Sequence, residues 1–526
     1  MHTRAFVHCW IIAALTVVPA WPDTGRGAPV EDSRVPASSR VTIYPAPAGE
    51  PASQDYAVTV NGRPVFCYTS YRFDADSAAT LAGRPVSPVS FCAFDLSGEA
   101  EVTVRLLDGL DRAGIDTSRV TVRPLAHGVR PDVVDGAFSF RVSRPCQLTV
   151  EAGEGLAHPL HIFVNPLETD APDPNDPRVR YFGPGVHDLG ETDIGDAETV
   201  YIAGGAIVNL RPVDPGMLGE SHRAYGVEVW WAPGLFSSKW RKQVTIRGRG
   251  ILCGRKALER GQRGHLIRVQ GIDGLEIEGI IIRESSVWSL NVVNSNRVHI
   301  DNVKVIGHYV NNDGIVIGGT SDALVENCFS HNADDSFEVK VWIPQRNVVF
   351  RNCVVWTDVG GSLGLCCECG ADLTNVLYQD CTVLHATCAS TSRGAIGIEL
   401  EGEGSVSDFR FEGITIEDVR GALHAPIKVV NNWDDWHMGL PHKPGRPYQQ
   451  LNPPVRDKPR GAIRDVLFRD VRVLQARNTD VVIMADGPDS PIENVTFEGV
   501  EICGQRLVPG DPRIKTNEWV RNVVVK

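Results

Sequence analysis

A strand-length apolar motif recurs at a nearly regular interval in this chain, and this regularity restricts the fold more than any other feature. Each copy is a pair of short apolar runs separated by a small residue, for example LEIEGIIIR from Leu275 and VVFRNCVVW from Val348. Such runs, repeated at this length, predict a parallel β-solenoid in which every repeat extends one continuous core. The small central residues are separated by 23, 25, 25, 28 and 33 residues, and they are Gly279, Asn302, Asn327, Asn352, Asp380 and Gly413.

The repeat also distinguishes between solenoid types. A leucine-rich repeat has a similar period, but its leucine/asparagine pattern and its helical segments are missing from this sequence. We therefore predict an all-β chain built mainly from a right-handed parallel β-helix. The next interval, 57 residues from Gly413 to Asp470, predicts about two turns and contains a proline-rich loop at 431–459.

The segment before the repeats has a different pattern. Between residues 40 and about 165, strands of alternating apolar and polar residues are separated by turn signals such as NGRP at Asn61. This pattern predicts an N-terminal antiparallel β-sandwich. A connector rich in proline and aspartate, Glu168 to Gly185, follows it. We predict a β-sandwich accessory domain at 30–165, which supports the next domain rather than binding carbohydrate, and a catalytic β-helix domain at 166–526.

The first residues predict export. His2 and Arg4 precede an apolar run from Phe6 to Ala20, and small residues follow it. A run of this length is typical of a secretory signal peptide, and no later apolar run reaches the ~18 residues that a membrane span needs. We expect residues 1–29 to be a signal peptide and the start of a linker, and we expect a secreted or periplasmic protein without a membrane span.

Charge and cysteine content argue against several partners. The net charge of −13 disfavours nucleic acid and anionic membranes. Export would permit disulfides within the cluster Cys366, Cys367 and Cys369. No Cys/His set at zinc-site spacing accompanies that cluster, so we expect neither a metal nor another cofactor. Three further cysteines share one repeat position and are expected to be small buried side chains: Cys328, Cys353 and Cys381.

Three aspartates are the strongest candidates for catalysis. Asp334 and Asp335 follow Asp313 after 21 and 22 residues. Because this interval is close to one repeat, the three carboxyl groups are expected on neighbouring turns of the solenoid. Clustered carboxylates repel one another and raise at least one pKa, which suits general acid–base chemistry.

The strand after these aspartates indicates which side chains share their surface. Side chains alternate between the two faces of a strand. The apolar residues at 337, 339 and 341 predict a core face. The intervening side chains are expected to face solvent beside Asp334, as the floor of a groove: Ser336, Glu338, Lys340 and Trp342.

Four motifs between about residues 180 and 500 resemble the polygalacturonase clan of glycoside hydrolases, meaning family 28 and its dextranase relatives in family 49. The segment 286–289 is similar to the family's Pro-Phe-Trp segment, and Asn311-Asn312-Asp313-Gly314 stands where the family has Asn-Thr-Asp-Gly. Asp334-Asp335 stands at its Asp-Asp, and 360–364 at its Gly-His-Gly. The β-sandwich ahead of the repeats is more similar to the dextranase architecture.

The resemblance implies a secreted inverting glycoside hydrolase. In such an enzyme one carboxylic acid protonates the leaving glycosidic oxygen. The other carboxylates activate a water molecule on the opposite face of the sugar. By the motif match, Asp334 is the acid, and Asp313 and Asp335 are the bases.

Two departures from family 28 concern the substrate. Ser362 stands at the family's histidine position, and the Arg-x-Lys pair that clamps a galacturonate is replaced by the stretch from Gly394 to Glu399. Because Glu399 would repel a uronate, we expect a neutral glycan rather than pectate. A clamp from elsewhere would have to come from Arg393, Lys428 or Lys340.

Residues near the three aspartates are candidates for sugar contacts, because sugars stack on aromatic rings and accept hydrogen bonds from polar groups. The loop that contains Trp433, Trp436 and His437 is a candidate wall for one end of the groove, which would favour attack from a chain end. The predicted substrate-binding residues are Asn311, His308, Lys340, Tyr309, Trp288, Glu368, Arg393 and Trp342.

Three alternatives stay open at this point. A polygalacturonase would act on pectin with the same carboxyl groups. A β-helix polysaccharide lyase would need a strong base and often calcium. A non-catalytic carbohydrate-binding β-helix would use the groove without chemistry.

Overall fold

The computed structural model describes residues 39–45, 47–212, 234–237, 240–309, 311–387, 393–421, 424–431 and 460–526. Residues 39–526 form one compact unit. The predicted signal peptide at 1–29 and the loop with Trp433, Trp436 and His437 lie outside the described residues. No helix within the described ranges is long and apolar enough to cross a membrane.

Helix is scarce in the described residues. The helical segments are Asp108–Arg112, the 3-10 turn Leu125–His127 and Arg255–Glu259. Everything else that is regular is strand, so the predicted all-β class is confirmed.

Two sheets precede the repeats and share one apolar core that includes Val58, Phe94, Val102 and Ile162. Their strand pairs are antiparallel except for one parallel pair. The seven-stranded sheet contains Arg40–Thr42, Tyr68–Phe73, Thr80–Leu81, Arg84–Ser97, Val120–Arg123, Cys146–Ala152 and Leu160–Pro166. The four-stranded sheet contains Tyr56–Val60, Arg63–Val65, Ala100–Leu106 and Ala137–Val142.

The repeats form three long sheets of parallel strands, and each full turn of the chain adds one strand to each sheet; the exception is Gln505–Arg506, which pairs antiparallel with Glu501–Ile502. The first sheet contains Val179–Phe182, Thr199–Ile202, Arg241–Gly248, Ile272–Glu278, Asn296–Asp301, Ser321–Glu326, Gln345–Arg351, Leu373–Gln379, Val406–Glu412, Ile463–Arg469, Ile492–Glu498 and Val520–Val525. The second contains Gly185–Leu189, Ala206–Leu210, Ile251–Cys253, Ile281–Arg283, Lys304–Ile306, Phe329–Asn332, Val354–Thr357, Thr382–Ala386, Thr415–Ile416, Arg472–Val473, Glu501–Ile502 and Gln505–Arg506. The third contains Thr192–Asp193, Leu235–Phe236, Ile267–Gln270, Leu290–Val293, Ile315–Gly318, Phe337–Val341, Leu363–Cys369, Gly394–Glu401, Ala425–Val430, Val481–Met484 and Ile514–Thr516.

This arrangement is the predicted right-handed parallel β-helix. Its interior is a single apolar column, because alternate residues of every strand point inward. Aromatic rings stack along the column from turn to turn, with centroid distances of 4.6 Å for Phe350–Tyr378, 5.2 Å for Tyr378–Phe411 and 5.0 Å for Phe411–Phe468. The free thiols of the repeated cysteine position also lie in this core, as predicted: Cys328, Cys353 and Cys381.

The small residue at the centre of each repeat marks a fixed corner of the coil. There the backbone turns with a positive φ, which glycine, asparagine and aspartate tolerate best. Asparagine side chains stack at this corner, since Asn352 Nδ2 donates to Asn327 Oδ1 at 2.6 Å. The corner angles are 80°, 56°, 54°, 52°, 51° and 67° at Gly279, Asn302, Asn327, Asn352, Asp380 and Gly413.

The prediction of two turns between Gly413 and Asp470 is wrong. The strand Val406–Glu412 pairs directly with Ile463–Arg469, in the register Phe409↔Val466, so the interval of 57 residues is one turn. The extra residues follow the strand Ala425–Val430 of the third sheet. Sequence spacing counts residues and does not distinguish an added turn from an insertion within one turn.

The seven-stranded sheet packs on the outer face of the second parallel sheet. An apolar cluster joins them, and it includes Phe91 and Phe163 from the former and Ile281 and Phe329 from the latter. Buried polar contacts surround this cluster: His161 Nε2 lies 2.8 Å from His331 Nδ1. The sandwich therefore supports the turns that carry the three aspartates.

Candidate active site

The three aspartates lie on neighbouring turns, where the chain enters two adjacent strands of the third sheet. Asp313 precedes Ile315–Gly318, and Asp334 and Asp335 precede Phe337–Val341. The two strands pair in the register Ile315↔Phe337, and the Gly314 amide donates to the Asp335 carbonyl at 2.8 Å. The interval of one turn between the aspartates, predicted from spacing, is therefore present in the structure.

Asp334 is half-buried at the surface of this site. Its Oδ2 accepts a hydrogen bond from the Asn311 amide at 3.1 Å, and its Oδ1 accepts one from the Asp335 amide at 3.1 Å. Burial and the adjacent Asp335 carboxylate raise the pKa of Asp334, against the opposite effect of Arg393 and Lys340. A carboxyl group held in place with a raised pKa is suited to donate a proton.

Asp335 is buried and is bound through both oxygens. Oδ1 accepts a hydrogen bond from the Gly361 amide at 2.7 Å, and Oδ2 accepts one from the Arg393 guanidinium at 3.2 Å. A β-carbon at Gly360 would overlap the backbone of Asp334 and Asp335, so only glycine permits this close approach. The guanidinium and the amide together fix the position of the Asp335 carboxyl group.

Asp313 is 3 % exposed and lies among like charges. Burial, Glu338 and Asp334 raise its pKa well above the ordinary range, and Lys340, with Nζ 3.8 Å from Oδ2, has the opposite effect. No described residue donates a hydrogen bond to Asp313 Oδ1.

The floor of the site is more enclosed than the sequence pattern predicts. The core-facing residues Phe337, Val339 and Val341 are buried as expected. Of the residues expected to face solvent, Trp342 is 39 % exposed, but Ser336, Glu338 and Lys340 are buried as well. Alternation along a strand identifies two faces and does not report what covers the outer one.

Lys340 lies among three carboxylates. Its Nζ is 2.7 Å from Glu368 Oε2 and 3.2 Å from Glu338 Oε2, besides the longer contact with Asp313. Burial alone would lower the pKa of Lys340, but Glu338 and Glu368 hold it well above its usual value. Lys340 therefore remains a cation inside the site.

Trp288 and Trp342 form the aromatic surface next to this cation. Their rings are nearly parallel, with centroids 6.1 Å apart. Lys340 Nζ lies 4.8 Å from the centre of the Trp288 ring. The structure thus places both tryptophans beside Lys340, whose Nζ lies 3.8 Å from Asp313 Oδ2.

The residues upstream of Asp313 have different environments. Asn311 Oδ1 accepts a hydrogen bond from Arg263 at 3.0 Å, and Arg263 also lies over the Tyr309 ring, 4.9 Å from its centre. A hairpin of the sandwich reaches the same ring, because the Arg84 guanidinium is 5.6 Å from the centre of Tyr309. Arg84 and Arg263 were not anticipated, since nothing local in the sequence links them to Asp313.

His308 is fully buried and is not placed to contact a sugar. Its Nδ1 lies 2.7 Å from Glu284 Oε2. Glu284 in turn accepts a hydrogen bond from Ser70 Oγ of the sandwich at 2.6 Å. This histidine joins the sandwich to the turn that precedes Asp313, which differs from its predicted role in substrate binding.

The candidate cations for a uronate clamp are paired within the protein. Arg393 contacts both Asp335 and Glu399, the latter at 3.3 Å. Lys428 Nζ lies 3.9 Å from Glu399 Oε2, and Lys340 has the carboxylates described above. Glu399 is itself buried against these cations, so it acts as their partner rather than as an isolated charge facing substrate.

Ser362, at the family's histidine position, is buried beneath the site. Its Oγ accepts a hydrogen bond from Thr357 Oγ1 at 3.0 Å, and Thr357 lies 2.7 Å from Ser336 Oγ. These hydroxyl groups bind one another and Asn332 below the aspartates. Ser362 therefore supports the floor and does not replace a histidine that faces substrate.

One group of potential metal ligands lies in the site, formed by Asp335, Glu338 and Cys366, whose ligand atoms are within 4.8 Å of one another. Arg393 and Lys340 already supply positive charge to these carboxylates. Burial raises the pKa of the Cys366 thiol well above its usual value, which keeps it neutral. The set does not fit a divalent cation, and every described cysteine is a free thiol.

A β-helix with clustered acids at the edge of one sheet is the architecture of a class of glycoside hydrolases, and comparison with known proteins agrees with that class. The family model of glycosyl hydrolases family 28 matches residues 252–518, just over half of the chain. The protein belongs to this family and is a glycoside hydrolase.

One solved structure supports the fold. The chain is similar to Dex49A from Penicillium minioluteum, with 13% identity over 92% of this chain and 96% of that one and a TM-score of 0.52. It also matches the family 28 exopolygalacturonase of Yersinia enterocolitica (13% identity, 92% and 96% covered, TM-score 0.44) and an exopolygalacturonase from Thermotoga maritima (15%, 66% and 83%, 0.44). No curated protein matches the sequence.

Proposed function

We propose that the protein is an exported glycosidase that hydrolyses a neutral poly- or oligosaccharide with inversion. Asp334 protonates the leaving glycosidic oxygen, and Asp313 and Asp335 activate the attacking water. The observation that carries this proposal is the difference in environment among the three carboxyl groups.

Asp334 is the most accessible of the three, and its raised pKa keeps a proton available. Asp335 is buried and bound through both oxygens, by a guanidinium and by a backbone amide. Neighbouring carboxyl groups that lie in different surroundings are the usual basis for assigning an acid and a base. Asp313 completes the set on the preceding turn.

The charge balance of the site supports a neutral substrate. Arg393, Lys428 and Lys340 each contact at least one carboxylate of the protein. A uronate at any of them would have to displace a carboxylate that the protein already provides. The tryptophan pair instead offers stacking, which does not depend on substrate charge.

The test compares the wild type with Asp334→Asn on dextran, arabinan, galactan and polygalacturonate, with reducing ends and product anomers measured. We expect hydrolysis of a neutral polysaccharide with inversion, and a loss of at least about 100-fold in kcat for Asp334→Asn, because the variant lacks the transferable proton. Asp408→Asn is the control: this exposed aspartate lies at a corner of the first sheet beside Arg410, and its replacement is expected to leave kcat unchanged.

Several outcomes would contradict the proposal. Unsaturated products that absorb in the ultraviolet would indicate a lyase. Hydrolysis of polygalacturonate alone would overturn the neutral substrate, and full activity of Asp334→Asn would overturn the assignment of the acid.

A further inference from the structure

We propose that a cleft between the sandwich and the β-helix is a second glycan-binding site, separate from the catalytic groove, and that it takes a neutral oligosaccharide segment. The cleft lies at the corner where each turn passes from the first parallel sheet to the second. The three aspartates lie at the next corner, where the turn passes from the second sheet to the third. The strand Phe329–Asn332 separates the two corners within one turn. The proposal rests on the side chains of the cleft and does not require hydrolysis by Asp334.

The β-helix forms one wall of the cleft with the corner side chains of four successive turns. Neighbouring turns are about 4.8 Å apart, so these polar side chains recur at a spacing close to the length of one sugar unit. Asn352 and Asp380 are exposed, and their side-chain oxygens can accept hydrogen bonds from hydroxyl groups. The corner residues that line the cleft are Asn302, Asn327, Asn352 and Asp380.

Gln147 of the sandwich supplies a buried acceptor that also lines the cleft. Its side chain is 7 % exposed, and its Nε2 donates to Asn302 Oδ1 at 3.2 Å and to the Asn327 carbonyl at 3.1 Å, which fixes the orientation of the amide. Its Oε1 has no hydrogen-bond partner among the described residues. Because buried polar atoms are nearly always paired, this oxygen requires a donor from outside the protein. The volume of the cleft, about 470 Å³, lies within the range of small-molecule sites and far exceeds that of one water molecule.

The sandwich wall of the cleft is apolar and is held in place without a ligand. Three proline rings line it, and flat apolar faces of this kind pack against the C–H faces of sugars. Arg123 fixes the turn that carries the first ring, because its guanidinium donates to Glu417 Oε2 at 2.7 Å and to Glu151 at 3.0 Å. A preformed wall reduces the ordering that binding requires. The rings belong to Pro124, Pro145 and Pro166.

The charges of the cleft disfavour an anionic ligand. Arg144 is exposed on the sandwich wall, and Asp301 and Asp380 lie on the β-helix wall, so positive charge is not in excess. Burial and Arg144 lower the pKa of His127, which keeps this imidazole neutral at neutral pH. Apolar faces combined with acceptors that require hydroxyl donors fit a neutral sugar. The sandwich therefore takes part in glycan binding in addition to the support expected from the sequence.

The test measures glycan binding by the Asp334→Asn protein, whose expected loss of hydrolysis leaves the ligand intact. Native gels that contain dextran, arabinan or galactan at graded concentrations give the concentration that halves the mobility of the protein. We expect at least one of these neutral polysaccharides to retard it. The additional change Gln147→Leu is expected to raise the half-retarding concentration at least about fivefold, because the buried acceptor is removed.

Two further variants on the same background make the test independent of the folding of Gln147→Leu. Arg144→Ala removes an exposed side chain of the same cleft, which the fold is expected to tolerate, and retention is expected to weaken in the same direction. Gln505→Leu is the matched control, because this exposed glutamine of the strand Gln505–Arg506 does not line the cleft. Its retention is expected to equal that of Asp334→Asn alone.

The outcomes separate this proposal from the proposed function. Retention that neither cleft variant weakens would overturn the second site, since the cleft would then hold water alone. Failure of all three polysaccharides to retard the protein would overturn it as well. Retention that depends on Gln147 and Arg144, in a protein whose wild type hydrolyses none of the glycans, would support the second site and overturn the proposed function.

Discussion

Arg393 shows how strongly single buried charges determine this site. Its guanidinium contacts Asp335 and Glu399, and all three side chains are at most 4 % exposed. Removing one partner of a buried ion pair leaves the other charge without compensation, which costs far more than the net gain from making the pair. The same residue holds Asp335 in place beside the proposed acid.

We therefore expect Arg393→Met to lower the free energy of unfolding by about 3–5 kcal/mol, because it removes the cation paired with buried Asp335 and leaves Glu399 with the longer contact to Lys428. Urea denaturation followed by circular dichroism measures this change. The control is Arg297→Met, which removes an exposed arginine 2.9 Å from Asp273, and the expected effect is below about 1 kcal/mol. Equal urea midpoints for the two variants would show that Arg393 does not compensate Asp335 and Glu399.

At the scale of single elements, the third sheet depends on glycine at two paired positions. Gly364 and Gly397 face each other across adjacent strands, and both have a φ of 151°, a conformation that other residues rarely adopt. A β-carbon at Gly397 would overlap the carbonyl oxygen of Lys428 on the following strand. Gly364 also pairs with Glu338 on the preceding strand. The two glycines therefore allow the close spacing of the strands next to the site.

Gly397→Ala is expected to destabilise the fold by about 1–3 kcal/mol, since the strand of Lys428 must shift to admit a methyl group. Gly487→Ala is the control, because a β-carbon at Gly487 would have no atom within 4 Å. Its expected change lies within about 0.5 kcal/mol. Thermal unfolding of both variants provides the measurement, and a stable Gly397→Ala would mean that the strands separate more easily than the structure indicates.

At the scale of the whole molecule, buried histidines join the sandwich to the β-helix. His385, on the β-helix, lies 2.6 Å from Glu151 of the sandwich and 3.0 Å from Asp418 of its own coil. Burial opposes its charge, yet Glu151 and Asp418 raise the pKa of His385. His161 contacts His331 rather than a carboxylate, and burial lowers the pKa of His161 well below its ordinary value.

The two sites impose opposite pH dependences on stability. Because the pKa of His385 is raised in the folded state, its stabilising effect is complete below the unfolded-state value of about 6.5 and is lost as pH rises through the folded value. Because the pKa of His161 is lowered, its neutral form stabilises the fold above about pH 6.5, and that effect is lost as pH falls toward the folded value.

We expect His385→Gln to lower the melting temperature most at acidic and neutral pH. As pH rises above neutral, the melting temperature of the variant is expected to fall less than that of the wild type. Differential scanning calorimetry across pH measures both effects. His299→Gln is the control for position: Glu326, 3.0 Å away, also raises the pKa of His299, but this half-buried histidine lies on the first sheet away from the sandwich, so a smaller change in melting temperature is expected. A pH-independent loss in His385→Gln would contradict a charged imidazolium at this position.

The sequence by itself determined the repeating architecture and the position of the three aspartates on adjacent turns. The period of the apolar runs fixes which residues enter the core, and a glycine, asparagine or aspartate at each corner marks a positive φ. The interval between Asp313 and Asp334-Asp335 placed the carboxyl groups on adjacent turns because one repeat is one turn. Both inferences are local or periodic, and a linear sequence contains such information directly.

Only the tertiary structure decided what surrounds those acids. Alternation placed Glu338 and Lys340 on the outer face, but the surrounding side chains bury them, and the insertion after Ala425–Val430 fits within a single turn. The pairing of Arg393 with Glu399 and the contact of Arg84 with Tyr309 likewise depend on the packing of side chains rather than on sequence spacing. Burial and charge pairing depend on which distant segments cover a surface, and these same contacts set the proton affinities of the site.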